Sequence, residues 1–238
     1  MTRNLFRIEL IKLRRRSAFT IVLAVFIGFL TIFLGGSIYA VQTGRMTITL
    51  PNAWNDVHQM LMQMTFFLGM ITVVNLVSAE YPWRTSRQNV IDGLSRDQFY
   101  IAKLIITLFV CFLFWALAWA LVIPVVAMLA QSSDPFMTRG QVNAVLAMLM
   151  AGTAIGAAAL QASVLTRNTA GALGLILGWI IGAEGLLTLL LFRINEDLPK
   201  YSALFPGRVI MSLGELQRWA PELMTRRGIK HNVLNAKE

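Results

Sequence analysis

The most regular feature of the chain is a series of long apolar runs separated by short polar segments. A helix that crosses the hydrocarbon core of a bilayer needs about 20 mostly apolar residues. Five runs meet this length, at residues 18–40, 58–77, 101–130, 142–165 and 170–192. The pattern predicts an all-α, polytopic membrane protein with five clear transmembrane helices, a sixth being absent or cryptic.

A different periodicity precedes the first apolar run. Leu5, Ile8 and Ile11 recur at helical spacing, with Phe6 and Leu13 close to the same face, and basic residues surround them. This is typical of an amphipathic helix that lies in the membrane interface. We therefore predict that residues 1–17 form a cytoplasmic interfacial helix and that residues 18–192 form the transmembrane domain.

The positions of the basic residues predict the orientation of the spans. Lys and Arg concentrate before the first run, in the segment between the second and third runs, and at the turn between the fourth and fifth. Cytoplasmic flanks carry this excess, so the N-terminus is expected inside. The polar tail, residues 193–238, is expected outside, because the rule discounts charges far from a span. A cryptic or re-entrant element around residues 203–213 is the alternative.

The composition also indicates a membrane protein and argues against several other classes of protein. Hydrophobic residues make up 56% of the chain and charged residues only 14%, against about 25% charged residues in soluble domains. The net charge of +9 therefore indicates membrane flanks rather than a nucleic-acid surface. A single cysteine, Cys111, excludes a disulfide within the chain, and the two histidines, His58 and His231, lie too far apart in sequence to suggest zinc.

The polar segment at residues 79–99, here called the 79–99 loop, carries a strong helix-start signal. Ser95 with Gln98 three residues later forms a capping-box pattern, and Leu94 with Phe99 forms a hydrophobic staple. Asp97 in the first turn favours the same start through the helix dipole. We predict a helix that begins in water at Ser95 and continues into the bilayer, with Lys103 extending back toward the headgroups.

The loop also carries a motif. The stretch "E-x-x-W-R-T…G-L-S-R-x-Q-F-Y-x-A-K-L", preceded by "IELIKLRRR", resembles permease subunits of type-two ABC exporters, including bacterial permeases related to bacteriocin-immunity and multidrug export systems. The resemblance implies a bacterial plasma-membrane location, a separate ATPase subunit that binds the loop, and pairing with a second permease copy or paralogue. It assigns ATPase coupling to Glu80, Arg84, Arg87, Asp92, Leu94, Ser95, Arg96 and Asp97.

The chain lacks the glycine-rich lysine motif that cradles nucleotide phosphates. It is therefore not expected to be an enzyme or to hold a cofactor, and the resemblance places ATP and Mg in the partner ATPase. An intramembrane enzyme is disfavoured because the spans offer no acid–base pair.

Glu184 is the one acidic residue inside a predicted span. Ionisable groups there cost about 2.5–3.5 kcal/mol on insertion scales and are functional candidates by default. We expect Glu184 to line the substrate path or a gate. The alternatives are a paired carboxyl that fixes helix packing, or one wetted near the outer face.

Small residues recur at four-residue spacing in the last two spans. This spacing lets helices approach closely, so we expect these glycines to pack the fourth span against the fifth. They are Gly152, Gly156, Gly174, Gly178 and Gly182.

The leading hypothesis is a permease that forms a translocation path for an amphipathic or apolar substrate. The other is a non-transporting membrane immunity or docking protein, since coupling loops and docking loops look alike in sequence. The substrate cannot be identified from these residues.

The predicted orientation is tested by labelling. In a Cys111→Ala background, Ser95→Cys should react with a membrane-impermeant maleimide in inverted vesicles and not in right-side-out vesicles. Alternation of the spans places residues 41–57 in an external loop, so Thr43→Cys in this loop is the matched control with the opposite result. Reaction of Ser95→Cys from the outside would overturn the topology.

Overall fold

The structure is a computed structural model that describes residues 2–50, 53–82, 95–130 and 136–194, together with Phe205 and Gly207. Every regular element in these ranges is helical. The elements are α1 (Thr2–Arg15), α2 (Ser17–Gln42), α3 (Ala53–Ser78), α4 (Arg96–Leu129), α5 (Arg139–Thr166), α6 (Thr169–Leu177), a π-helical segment (Gly178–Ala183) and α7 (Glu184–Ile194).

The predicted fold class is confirmed. Five helices are long and apolar enough to cross a membrane: α2, α3, α4, α5 and the continuous run from α6 to α7. Their bounds extend a few residues beyond most of the predicted runs, because polar residues at each end continue the helices. Pro124 lies inside α4, which continues to Leu129.

The core of the bundle is formed by α3, α4 and α5. Of the apolar window of α3, 61% is buried, against 11% for α2 and 12% for the span from α6 to α7. Buried apolar side chains from the three central helices interdigitate, among them Val73, Ile106, Phe114 and Leu160. The first and fifth spans therefore present most of their surface to lipid or to another chain.

Two capping boxes define the starts of α4 and α5. At Ser95 the side-chain oxygen accepts from the backbone N–H of Gln98 at 3.2 Å, and the Gln98 side chain accepts from the Ser95 N–H at 3.1 Å. The predicted capping box is confirmed, whereas the staple partner Leu94 lies outside the described residues. Thr138 and Gln141 form the same reciprocal pair at the start of α5.

The apolar side chains of α1 lie on two faces of the helix, whereas the sequence predicted one. Leu13 is buried, and the Phe6 ring meets Phe109 of α4 edge-on at 5.5 Å. Ile8 and Ile11 are about half exposed. The single apolar face expected from spacing is thus two faces, because one side of α1 packs on the bundle.

The glycine pair in the fourth span also has different neighbours from those expected. A Cβ at Gly152 would meet the Phe66 ring of α3 at 3.7 Å, and one at Gly156 would overlap Cys111 Sγ and lie 3.2 Å from Thr107 Cγ2, both on α4. These glycines therefore face the second and third spans, not the fifth.

The glycines of the fifth span lie on an open side. A Cβ at any of Gly174, Gly178 and Gly182 would have no described atom within 4 Å. Within the described part of the chain, these three positions do not pack the fifth span against the fourth.

Gly156→Leu should therefore destabilise the protein, and Gly178→Leu should leave its folding unchanged. Overpacking a filled core costs about 1–3 kcal/mol, while Gly178 has room for a side chain. Thermal unfolding of the two variants, purified in detergent, compares the stability cost of the same glycine-to-leucine change at the two positions. Equal losses of stability would contradict the packing described here.

Candidate functional site

A buried ion cluster joins three elements at one end of the bundle. Lys103 of α4 donates to Glu9 Oε2 of α1 at 2.5 Å and to Glu80 Oε1, two residues past α3, at 2.6 Å. Lys103 is fully buried, as is Glu80, and Glu9 is 4% exposed. One lysine thus connects the N-terminal helix with both spans that flank the 79–99 loop.

The pairing is required by the burial of Lys103. It lies seven residues into α4, about 10 Å beyond the first residue at the rise of an α-helix. A buried charge is tolerated only when it is paired and hydrogen-bonded, and two carboxylates supply both. The ammonium group that was expected to extend toward the headgroups contacts acidic partners from α1 and from just past the end of α3.

Two further cations complete the cluster. Lys12 Nζ lies 3.1 Å from Glu9 Oε1 and 3.5 Å from Glu80 Oε1, and Arg16 Nη2 lies 3.6 Å from the same Glu80 oxygen. Among the described residues, three cations thus face two carboxylates. We refer to these five residues as the Lys103 cluster.

Arg16 also caps the second span. Its Nη1 donates to the carbonyl oxygens of Asn75 at 3.0 Å and Leu76 at 2.6 Å. These carbonyls belong to the last turn of α3, where backbone acceptors lack helical partners and the helix dipole favours a cation. The break between α1 and α2 therefore stabilises the end of α3 that leads into the 79–99 loop.

The ion pairs with Lys103 and Lys12 lower the pKa of Glu9. Burial alone would raise the pKa of Glu9, but the nearby ammonium groups of Lys103 and Lys12 outweigh it and lower the pKa below its ordinary value. A carboxyl with a lowered folded-state pKa contributes stability above its unfolded pKa and loses it as pH falls through the folded value. The ionised Glu9 carboxylate therefore contributes to stability at neutral pH.

A second contact links this end of the bundle to the last two spans. The guanidinium carbon of Arg167 lies 5.9 Å from the centre of the Tyr81 ring, one residue after Glu80. Arg167 occupies the left-handed turn between α5 and α6, with φ of 54°. Burial raises the pKa of Tyr81 above its ordinary value, so the ring remains a neutral partner for the cation.

The structure describes part of the predicted coupling set. Glu80 lies in the Lys103 cluster, and Ser95 and Asp97 lie exposed at the start of α4. Arg96 begins α4 in its backbone. The predictions for Arg84, Arg87, Asp92 and Leu94 lie outside the described residues.

A second candidate site surrounds Glu184, the predicted path or gate residue. Its side chain is 2% exposed, and its Oε1 accepts from Trp179 Nε1 at 2.8 Å and from the backbone N–H of Gly207 at 2.7 Å. Trp179 lies in the π-helical segment that ends at Ala183, directly before Glu184, and such segments are frequent at functional sites. The described part of the structure therefore contains hydrogen-bond donors for this carboxylate inside the span.

Gly207 lies against this carboxylate because it has no side chain. A Cβ there would lie 2.8–3.0 Å from the carboxyl atoms of Glu184, closer than a real Cβ atom comes to a neighbour. A residue 23 positions after Glu184 is thus brought into contact with the membrane helix. A re-entrant element around residues 203–213 is the alternative to an external tail, and the contact is compatible with it.

Sequence reasoning missed most of the partners in both sites. The available signals were Glu9, the only acid in a basic helix, and Lys103, a lysine inside an apolar run. Nothing local pointed to Trp179 or Gly207. Among the described residues, no group of three or more His, Cys, Asp and Glu side chains could hold a metal ion.

The architecture and the two polar sites define an α-helical multi-pass membrane protein with charged groups held between its helices. The family model described as ABC-2 family transporter protein matches residues 5–185. This range covers most of the chain, from α1 to the start of α7, and the chain belongs to that family. It is therefore a membrane component of a transporter. No curated protein and no solved structure matches the chain.

Replacement of Lys103 should destabilise the bundle strongly. Lys103→Met removes the fully buried cation that donates to both Glu9 and Glu80, and breaking a buried pair costs on the order of 3–5 kcal/mol. Lys12→Met is the matched control, since its partly exposed ion pairs are worth about 0–1 kcal/mol. Thermal unfolding in detergent measures both, and equal losses would contradict the central role of Lys103.

Proposed function

We propose that this chain is the permease subunit of an ABC transporter and couples ATP hydrolysis by a separate subunit to export of an amphipathic or apolar substrate. The observation that carries the proposal is the Lys103 cluster, which joins α1 to both helices that flank the 79–99 loop. In this proposal the loop is the contact surface for the ATPase, and ATP and Mg are bound by that partner.

The cluster supports coupling because it makes three elements move as one. Separating Glu9 or Glu80 from Lys103 would break a buried ion pair, at a cost of several kcal/mol. A displacement of the loop therefore moves the end of α3, the start of α4 and α1 together. A loop that only docked a partner would have no need of a buried connection to α1.

The helix α4 is long enough to transmit a force from the 79–99 loop across the bilayer. It contains 34 residues, which is about 50 Å at 1.5 Å per residue. The capping box at Ser95 fixes its first turn, so a force applied at the loop reaches the opposite side of the bilayer through one continuous helix.

The outer helices support an assembly around a translocation path. The first and fifth spans bury little of their surface within this chain, and the open glycine side of the fifth span permits close approach of another helix. In the proposal a second permease copy or a paralogue packs here, and Glu184 lies beside the path or its gate. The complex resides in the bacterial inner membrane with the N-terminus in the cytoplasm.

The proposal is tested by co-purification with the ATPase encoded by the neighbouring reading frame. Arg87→Glu and Asp92→Lys should abolish association, because each reverses a charge in the proposed contact surface, while membrane insertion is unchanged. Arg45→Glu, in the predicted external loop, is the matched control and should retain the ATPase. Full association of both loop variants would overturn the proposed contact.

A further inference from the structure

A cavity lies between the fourth and fifth spans, apart from the Lys103 cluster. Its volume is about 160 Å³, and it is lined by Ile155, Ala158, Leu175, Ile176, Trp179, Ile180 and Gly207. It is only partly enclosed. Ile155 and Ile176 are each 4% exposed and form its interior, while the half-exposed Leu175 and Trp179 lie at its mouth.

The lining does not suit water. A buried water needs two to four polar partners, and the lining side chains are apolar apart from one indole N–H. That group and the backbone N–H of Gly207 both donate to Glu184. An apolar cavity of about 150 Å³ in another protein stays dry and binds benzene, so this one has room for a hydrocarbon group of similar size.

The position of the mouth indicates where such a group comes from. The span from α6 to α7 buries only 12% of its apolar window within this chain. Its outer surface, which includes Leu175 and Trp179, is exposed in this chain, and lipid hydrocarbon is the solvent of such an apolar surface in a bilayer. The chain end of a phospholipid can reach the cavity without crossing any polar layer.

We propose that the cavity is a binding site for one acyl chain of a membrane phospholipid. The terminal part of the chain lies against Ile155 and Ile176 and contacts Trp179 and Gly207. These last two residues are also the donors to Glu184. The bound chain thereby fills the space beside the Glu184–Gly207 hydrogen bond and holds Gly207 against the fifth span.

The assignment does not depend on transport or on an ATPase, so it can be tested on the chain alone in membranes. Protein reconstituted in phospholipid vesicles is irradiated with a phospholipid that carries a diazirine near the end of one acyl chain. Adducts are then located by mass spectrometry. We expect labelling of Ile155 and Ile176, which an acyl chain can reach only by entering the cavity. Leu186, which is 60% exposed, should be labelled by lipid outside the cavity.

Closing the mouth provides the control. Ala158→Phe should reduce labelling of Ile155 and Ile176 to background and leave Leu186 labelled. Ala120→Phe, at an exposed alanine of α4 outside the cavity, should change neither. Excess unlabelled phospholipid should compete, whereas competition only by a single-chain fatty acid would show that the occupant is another amphiphile and would overturn the assignment.

Two other results would also overturn it. Absence of adducts at Ile155 and Ile176 in the wild-type protein would mean that the cavity is empty or filled by a side chain of a second copy. Unchanged labelling of both in a folded Ala158→Phe variant would mean that the label does not enter through the mouth. The wild-type comparison of buried with exposed positions decides the matter even if a variant fails to fold.

Discussion

The organisation of this protein depends on the need to neutralise one buried lysine. Lys103 lies inside a membrane helix with no exposure, and its ammonium group is stable there only because Glu9 and Glu80 reach it from two other elements. The lysine cannot turn back to the aqueous phase without breaking its buried hydrogen bonds to both carboxylates. The N-terminal helix and the two ends of the 79–99 loop are therefore held in one arrangement, and Arg16 strengthens it by capping α3.

The fifth span also contains a buried ionisable side chain that needs hydrogen-bond partners. Glu184 is also buried, and among the described residues the Trp179 indole and the Gly207 backbone N–H donate to it. One polar site joins helices that flank a loop, and the other joins a membrane helix to a residue beyond it. Between them, α3, α4 and α5 provide a packed core, and the outer spans remain available to lipid or to another chain. A transporter component needs both a rigid connection and free lateral surfaces.

Where local physics decides, the sequence predicted the structure well. The five apolar runs became spanning helices because hydrocarbon length and hydrophobicity are properties of single segments. The start of α4 was predicted to the residue, since the capping box involves only Ser95 and Gln98. The predictions that failed required knowledge of neighbours. Gly156 was expected against the fifth span, but the side chains nearest to it belong to α4.

The sequence by itself determined that the chain is an α-helical membrane protein, where its helices run, and which polar residues are costly enough to need an explanation. Only the tertiary structure decided which groups pair with these polar residues. Glu9 and Lys103 are separated by 94 positions, and no periodicity relates them. Their pairing follows from the way α1 packs on α4, because the stability of a buried charge depends on what lies within a few ångströms and not on its distance along the chain.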